Sequence, residues 1–169
     1  MVAKSGVKWH LDGPGERQGQ ASVFRGRFDH AIDGKGRVSL PARYRESMAA
    51  LREDILVATT SDDPCLRAYP LRAFNEFEEK LAQKPSLDSR LRRLMRHYVG
   101  NACECPVDGM GRVLIPPDLR EYAGLQREVV FVGQVRFIEI WSKERWDESV
   151  GKTLKLTAAD RQALADLGI

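Results

Sequence analysis

The sequence predicts an α+β fold in which two copies of one small β-rich unit share a core, with helices on the flanks. Three observations carry that expectation. A stretch near residue 33 is repeated near residue 108, short apolar runs alternate with Gly- and Pro-marked turns, and each unit ends in an amphipathic helical stripe. At 169 residues the chain suits one domain, or two small units on a common core.

The repeat is the firmest of the three. Residues 33–46 read DGKGRVSLPARYRE and residues 108–121 read DGMGRVLIPPDLRE, an offset of 75 with eight of fourteen positions identical. The match continues without a gap to Ile55-Leu56-Val57 over Val130-Phe131-Val132. A loop three residues shorter in the second copy then brings Leu66–Tyr69 over Ile138–Trp141 and Phe74 over Trp146. An open solenoid needs about three or more units, so two copies suit a closed pair related by a pseudo-twofold axis.

Each copy reads as the same order of elements. Phe24 to Ala31 alternates loosely, like a strand with one buried face. Asp33-Gly34 is expected to supply the positive φ of a tight turn, with Gly36 adding freedom, before Arg37 to Leu40 returns as a second strand. Pro41 opens a short helix, because a first-turn proline sacrifices no helical hydrogen bond. In the second copy Gly124 suits a left-handed helix end, with Leu125 packing back. Two more strands follow, at 55–60 and 65–69, or 129–133 and 136–141.

A helix closes each copy. The first carries Leu71, Phe74, Phe77 and Leu81 on one stripe; the second starts at Ser142 as N-cap and carries Trp146, Val150 and Leu154. Between them, Ser86 to Tyr98 places Leu87, Leu91, Leu94 and Tyr98 at helical spacing, opposite Arg90, Arg92, Arg93 and Arg96. Leu156 to Ile169 reads as a terminal helix with Thr157 and Asp160 as a capping box. The expected division is therefore a disordered extension at 1–22, a first repeat at 23–84, a linking helix at 85–98, a second repeat at 99–155 and a C-terminal helix at 156–169.

Charge and cysteine usage narrow the function. Net charge is +3, and the first fifty residues hold nine Lys/Arg against five Asp/Glu. Such an excess suits one face toward a polyanion and equally suits plain solubility. Three cysteines without a secretory h-region point to a reducing cytoplasm. Apolar runs such as 129–132 fall far short of the roughly 20 residues that span a bilayer.

The DGxGR turn is the main candidate for chemistry. Two glycines let backbone N–H groups approach a phosphate, and the arginine adds a planar fork of donors. Lys35 stands at the tip of the first copy where the second has Met110, and Arg25, Arg27, Arg43 and Arg45 lie nearby in sequence. A second reading fits the same residues: Arg37 and Arg112 pair with Asp33 and Asp108 and brace the turns. The Lys35/Met110 difference favours binding in the first copy and bracing in the second. The arginine face at 90–96 suits nucleic acid, an acidic neighbour or simple solvation. Cys103 and Cys105 share one side of a strand but lack two further ligands for zinc, so they read as small buried hydrophobes. His10 and His30 have no partner pattern, the GPGERQG of the extension lacks the Gly-Lys-Ser/Thr of a phosphate loop, and no nucleophile elbow occurs. No cofactor, no metal and no enzymatic activity are expected.

Phe24-Arg-Gly-Arg-Phe, Asp33-Gly-Lys-Gly-Arg-Val-Ser-Leu-Pro, Asp63-Pro-Cys-Leu-Arg-Ala-Tyr, Asp108-Gly-Met-Gly-Arg-Val-Leu-Ile-Pro and Glu139-Ile-Trp together resemble the MraZ family over residues 23–169. That resemblance implies an AbrB-like swapped-hairpin β-barrel with both halves in one chain. It implies a nucleoid-associated transcriptional regulator of the division and cell-wall gene cluster, assembled into rings on direct repeats of double-stranded DNA. The family's DNA-contacting residues fall on Lys35 and Arg37, and Arg25, Arg27 and Arg43 are expected to join them. The family's start falls on Val23, so residues 1–22 are expected to be an extension outside the natural chain. The alternative is an antitoxin-like, protein-binding module on the same barrel.

Overall fold

The computed structural model describes residues 24–84, 88–150 and 155–168. The expected disorder of residues 1–22, and the packing of Leu87 and Leu154, lie outside these. The first copy runs β1 (Arg27–Ala31), β2 (Arg37–Ser39), α1 (Ala42–Leu51), β3 (Ile55–Thr60), β4 (Leu66–Pro70) and α2 (Leu71–Ala82). The linker is α3 (Ser89–Leu94), which widens into a π-helical turn over Met95–Val99. The second copy runs β5 (Cys103–Pro106), β6 (Arg112–Leu114), α4 (Pro117–Ala123), β7 (Glu128–Gly133), β8 (Ile138–Ser142) and α5 (Lys143–Arg145). A π-helical turn at Trp146–Val150 continues α5, and α6 (Ala158–Asp166) ends the described chain.

Strands exchange between the copies. The large sheet has the order β1-β7-β8-β4-β3-β5, and β2 pairs with β6 in a separate ribbon. Swapping the equivalent strands of the two copies reverses the six-strand order onto itself, which is the signature of a pseudo-twofold axis. The axis passes between Arg67 and Glu139, since Leu66 faces Ile140 and Ala68 faces Ile138 on either side. It passes again at Val38 opposite Val113 in the ribbon. One departure occurs: Asp29 faces Val130, whereas its equivalent Glu104 faces Val57, two residues beyond the equivalent of Val130. An offset of two keeps every side chain on its own face.

The α+β class with flanking helices is present, but the barrel is not closed. Among the described residues β1 and β5 are the ends of the large sheet, and the ribbon joins it through the single bridge Ile32–Val38 and side-chain packing. The reason is length. Strands β2 and β6 have three residues each, too few to pair with a partner on both edges along a full barrel stave. The hydrophobic effect completes what hydrogen bonds do not. Val38, Leu40, Val113 and Ile115 point inward against Leu66, Phe131 and Ile140 in one core.

Local signals set several ends. The Ser142 hydroxyl accepts the Arg145 N–H at 3.1 Å, and Thr157 and Asp160 form the reciprocal capping box of α6. Gly124 closes α4 with φ +62°, in the left-handed region where a side chain would strain the backbone. Two expectations change. The first strand starts at Arg27 because Gly26 turns the chain with φ +95°, leaving Phe24 in an isolated bridge to Val135. In the linker Leu91 and Tyr98 are buried but Leu94 is exposed. There the Thr59 and Thr60 hydroxyls draw the Tyr98 and His97 carbonyls onto β3 and open the helix into its π turn.

Candidate nucleic-acid interface

The two DGxGR turns sit at opposite ends of the β2/β6 ribbon. In the first, Gly36 N–H donates to the Asp33 carbonyl at 2.9 Å and Asp33 N–H to the Arg37 carbonyl at 2.8 Å. The loop is a tight turn followed by one left-handed residue, and that residue is Gly36, with φ +83°; in the second copy it is Gly111, with φ +74°. Gly34 and Gly109 are outside the positive-φ region, which corrects the expectation that Asp33-Gly34 supplies it. An aspartate at the first turn position is the physical cause. The Asp33 Oδ1 accepts the Lys35 and Arg37 backbone N–H groups at 2.9 and 3.0 Å, folding the loop around its own side chain.

The same carboxylate holds the arginine. Arg37 Nε donates to Asp33 Oδ2 at 2.8 Å and Nη2 lies 2.8 Å from the same oxygen. The second copy repeats this: Asp108 Oδ1 accepts from Met110 and Arg112, and Oδ2 accepts Arg112 Nε at 2.9 Å. The Arg37 backbone N–H, then its guanidinium, holds the Asp33 carboxyl down to about 2, and Asp108 is lowered likewise. Bracing therefore operates in both copies, with no difference between Lys35 and Met110 in turn geometry. Arg37 and Arg112 nonetheless keep side-chain exposures of 33% and 26%.

The ribbon has one buried face and one open face. Val38 and Val113 point into the core, so Arg37 and Ser39 with Arg112 and Leu114 point out. Each turn is also packed by the other copy. A Cβ on Gly36 would stand 2.9 Å from Arg120 Cζ, and one on Gly111 would meet Arg45. The repeated Arg45/Arg120 position is therefore a cross-copy brace, invisible locally because each arginine lies far in sequence from the turn it covers. Arg127 is a further exposed cation that the sequence reading missed. Its carbonyl accepts the Ile32 N–H at 2.8 Å, beside the first turn.

The other expected residues are spread out. Lys35 is exposed at the first tip, with Arg37 behind it. Arg43 is exposed at the start of α1, on the ribbon end that carries the Met110 turn, since Leu40 N–H donates to the Gly111 carbonyl. Arg25 and Arg27 are exposed at the far end of β1, and Arg27 lies 5.7 Å from the Trp146 ring centroid. At about 3.3 Å per residue, Arg27 stands about 13 Å beyond Ala31. Lys35 and Arg37 thus form one site, Arg43 lies at the other end of the ribbon, and Arg25 and Arg27 form a separate cluster. Arg90, Arg93 and Arg96 line a different cleft with Ser61, Asp62, His97 and Tyr122. Cys65 and Cys105 are buried, which raises their thiols to about 12, whereas Cys103 is only half-buried, so the expected burial holds for Cys105 and not for Cys103. Burial also lowers His30, with the Arg45 charge adding to it. Among the described residues no His, Cys, Asp or Glu group is placed to hold a metal ion. None of their helices is long and apolar enough to cross a membrane.

The family model described as "MraZ protein, putative antitoxin-like" matches the chain twice, over residues 23–97 and 98–167. The chain belongs to the MraZ family. Curated relatives agree, each called "Transcriptional regulator MraZ". That of Thioalkalivibrio sulfidiphilus is 43% identical over 127 residues, 75% of this chain and 85% of the relative. That of Methylococcus capsulatus is 40% identical over 146 residues, 86% of this chain and 95% of the relative. That of Caldicellulosiruptor saccharolyticus is 39% identical over 144 residues, 85% of this chain and 98% of the relative. Each MraZ match contains one DGxGR turn, and the strand exchange places both turns on one ribbon.

Proposed function

We propose that the chain is a DNA-binding transcriptional regulator of the MraZ type, acting in the cytoplasm at the nucleoid. In this reading it controls the division and cell-wall gene cluster, and a ring of identical chains engages direct repeats in double-stranded DNA. Residues 23–84 and 99–155 are its two AbrB-like repeats, joined by the linker at 85–98 that carries α3 and followed by the segment at 156–169 that carries α6. Lys35 and Arg37 contact the duplex, with Arg43 at the other end of the ribbon and Arg25 and Arg27 on a second basic cluster.

One observation carries the reading furthest: Arg37 is pinned on an exposed face by Asp33. A guanidinium has five N–H donors, and Asp33 takes only the edge formed by Nε and one Nη2 hydrogen. The end-on pair of Nη1 and Nη2 donors remains for a phosphate or for guanine O6 and N7. Pinning lowers the entropy lost on contact, so bracing and binding are two results of one geometry. Repeating the site around a ring would raise affinity through effective concentration.

The test is a gel shift on DNA upstream of the protein's own gene, with assembly sized in parallel. Arg37→Ala should lose specific binding while assembly persists, and Lys35→Ala should weaken binding to every sequence with assembly likewise intact. Operator binding by Arg37→Ala equal to wild type would end the assignment. An antitoxin-like module would instead retain a stable protein partner irrespective of these substitutions.

A further inference from the structure

We propose that the cleft between the linker helix and α4 binds a small organic diphosphate, with the guanidinium groups of Arg90, Arg93 and Arg96 on its phosphates and the His97 and Tyr122 rings against its flat organic group. The site is made of residues that the DNA-binding reading does not use, and it stands or falls independently of that reading.

Arg90 and Arg93 lie on α3, and Arg96 lies in the π-helical turn that follows. Spacing by three makes successive arginines neighbours on the helix surface, and all three are exposed. No carboxylate of the described residues forms an ion pair with any of them. They line one wall of a cleft of about 900 Å³. The facing wall joins the two copies: Ser61 and Asp62 follow β3, and Tyr122 stands on α4. That wall is fixed. The Ser61 carbonyl accepts the Tyr122 hydroxyl at 2.6 Å and lies 3.1 Å from His97 Nε2. The His97 and Tyr122 rings are 6.3 Å apart between centroids, and Arg145 Nη1 donates to the Tyr122 carbonyl at 2.9 Å. Asp62 is the one carboxylate among the described lining residues, and its Oδ2 accepts the Tyr98 hydroxyl at 2.7 Å. Leu94, expected in the buried stripe, is 44% exposed and gives the cleft an apolar surface.

The lining decides the class of ligand. Three guanidiniums against one engaged carboxylate favour a multiply charged anion. Arg90 and Arg96 are about 9 Å apart along the helix at about 1.5 Å per residue. A lone carboxylate fills one arginine fork, whereas a diphosphate has oxygens enough for paired donors from three. Tyrosine and imidazole rings, Leu94 and the flat guanidinium planes suit an aromatic group on the same molecule. A nucleoside diphosphate combines both parts, and the cleft has the size of small-ligand sites, about 300–1,000 Å³. Duplex DNA fits less well. The Tyr122 hydroxyl is already spent on the Ser61 carbonyl, so the fixed wall offers a ring rather than a donor to a run of phosphates.

Isothermal titration calorimetry of the full chain with adenosine diphosphate, inorganic pyrophosphate and adenosine tests this. The proteins are wild type, Arg93→Gln, Tyr122→Ala and Arg37→Ala, with thermal melts to verify folding and sizing to follow assembly. Wild type should bind adenosine diphosphate at one site per chain, pyrophosphate about 5- to 150-fold more weakly for want of a ring to stack, and adenosine below detection. Arg93→Gln should weaken both phosphate probes by about 10-fold, the loss of a charge-assisted hydrogen bond. Tyr122→Ala should bring adenosine diphosphate down to the affinity of pyrophosphate and leave pyrophosphate unchanged. Arg37→Ala should bind every probe as wild type does. Since Arg93 is exposed, its arm decides the matter even if Tyr122→Ala unfolds. The proposal is overturned if neither phosphate probe binds wild type at millimolar concentration, if the two bind equally, or if Arg37→Ala abolishes binding. It is overturned too if Arg93→Gln leaves adenosine diphosphate binding unchanged; a shift in assembly size or in DNA retardation by that variant would then assign the arginines to a second copy or to nucleic acid. None of these outcomes touches the role of Lys35 and Arg37.

Discussion

Alanine at Gly36 and alanine at Gly34 should separate folding from partner contact within one turn. At Gly36, φ is +83°, and a left-handed backbone strains an L-residue by about 1–2 kcal/mol. The new Cβ would also stand 2.9 Å from Arg120 Cζ. Arg120 cannot yield freely, because its Nε donates to the Ile115 carbonyl at 3.0 Å. Losing that bond adds about 1 kcal/mol. The sum is about 2–3 kcal/mol, which for a chain of this size lowers Tm by about 4–12 °C. Gly111→Ala should behave alike, with Arg45 in the place of Arg120. Gly34→Ala meets neither obstacle, since its φ is ordinary and no atom lies within 4 Å of the added Cβ. Reduced freedom of the unfolded chain should leave it about 0.4–1 kcal/mol more stable. If the first turn engages DNA through its backbone, the added methyl group should nevertheless lower affinity for the duplex. Urea denaturation and fluorescence anisotropy on DNA from upstream of the protein's own gene measure the two effects. A Gly34→Ala protein destabilised by more than about 1 kcal/mol would refute the turn geometry, and unchanged affinity would refute the close approach.

Other expectations follow from single contacts. Tyr44 is fully buried, and its hydroxyl donates to the Gly26 carbonyl at 2.7 Å. Tyr44→Phe should destabilise by about 1 kcal/mol, and Tyr44→Ala by about 3–5 kcal/mol, both read by denaturation. Asp33 is lowered from 3.8 to about 2 in the folded chain, so its bracing is complete above the ordinary value and is lost as pH falls toward 2. Turn geometry should thus be constant from pH 5 to 8; a carboxyl titration by NMR with a midpoint near 4 would show Arg37 unpinned. Lys35→Ala should weaken binding across sequences and reduce the slope of log K against log salt by about 1, the loss of one phosphate contact. An unchanged slope would remove Lys35 from the backbone contacts.

What could be read from the sequence alone was whatever depends on neighbours in the chain. Asp33 folds its turn through N–H groups two and four residues on, and Ser142 caps a helix three residues on. Such bonds need only local residue types at fixed spacing, which is why the repeat, its turns and its caps were legible. Tertiary structure alone decided which strands pair. An alternating apolar strand such as β1 buries the same face against its own copy or the other, and the pattern does not distinguish them. Only the shared core selects β7 for β1 and β6 for β2. That choice placed Arg120 on Gly36, Arg45 on Gly111 and Arg112 beside Arg37, and it separated Arg25 and Arg27 from the turn. Side-chain chemistry is local, but burial is a property of the whole chain, and burial set the geometry of the site.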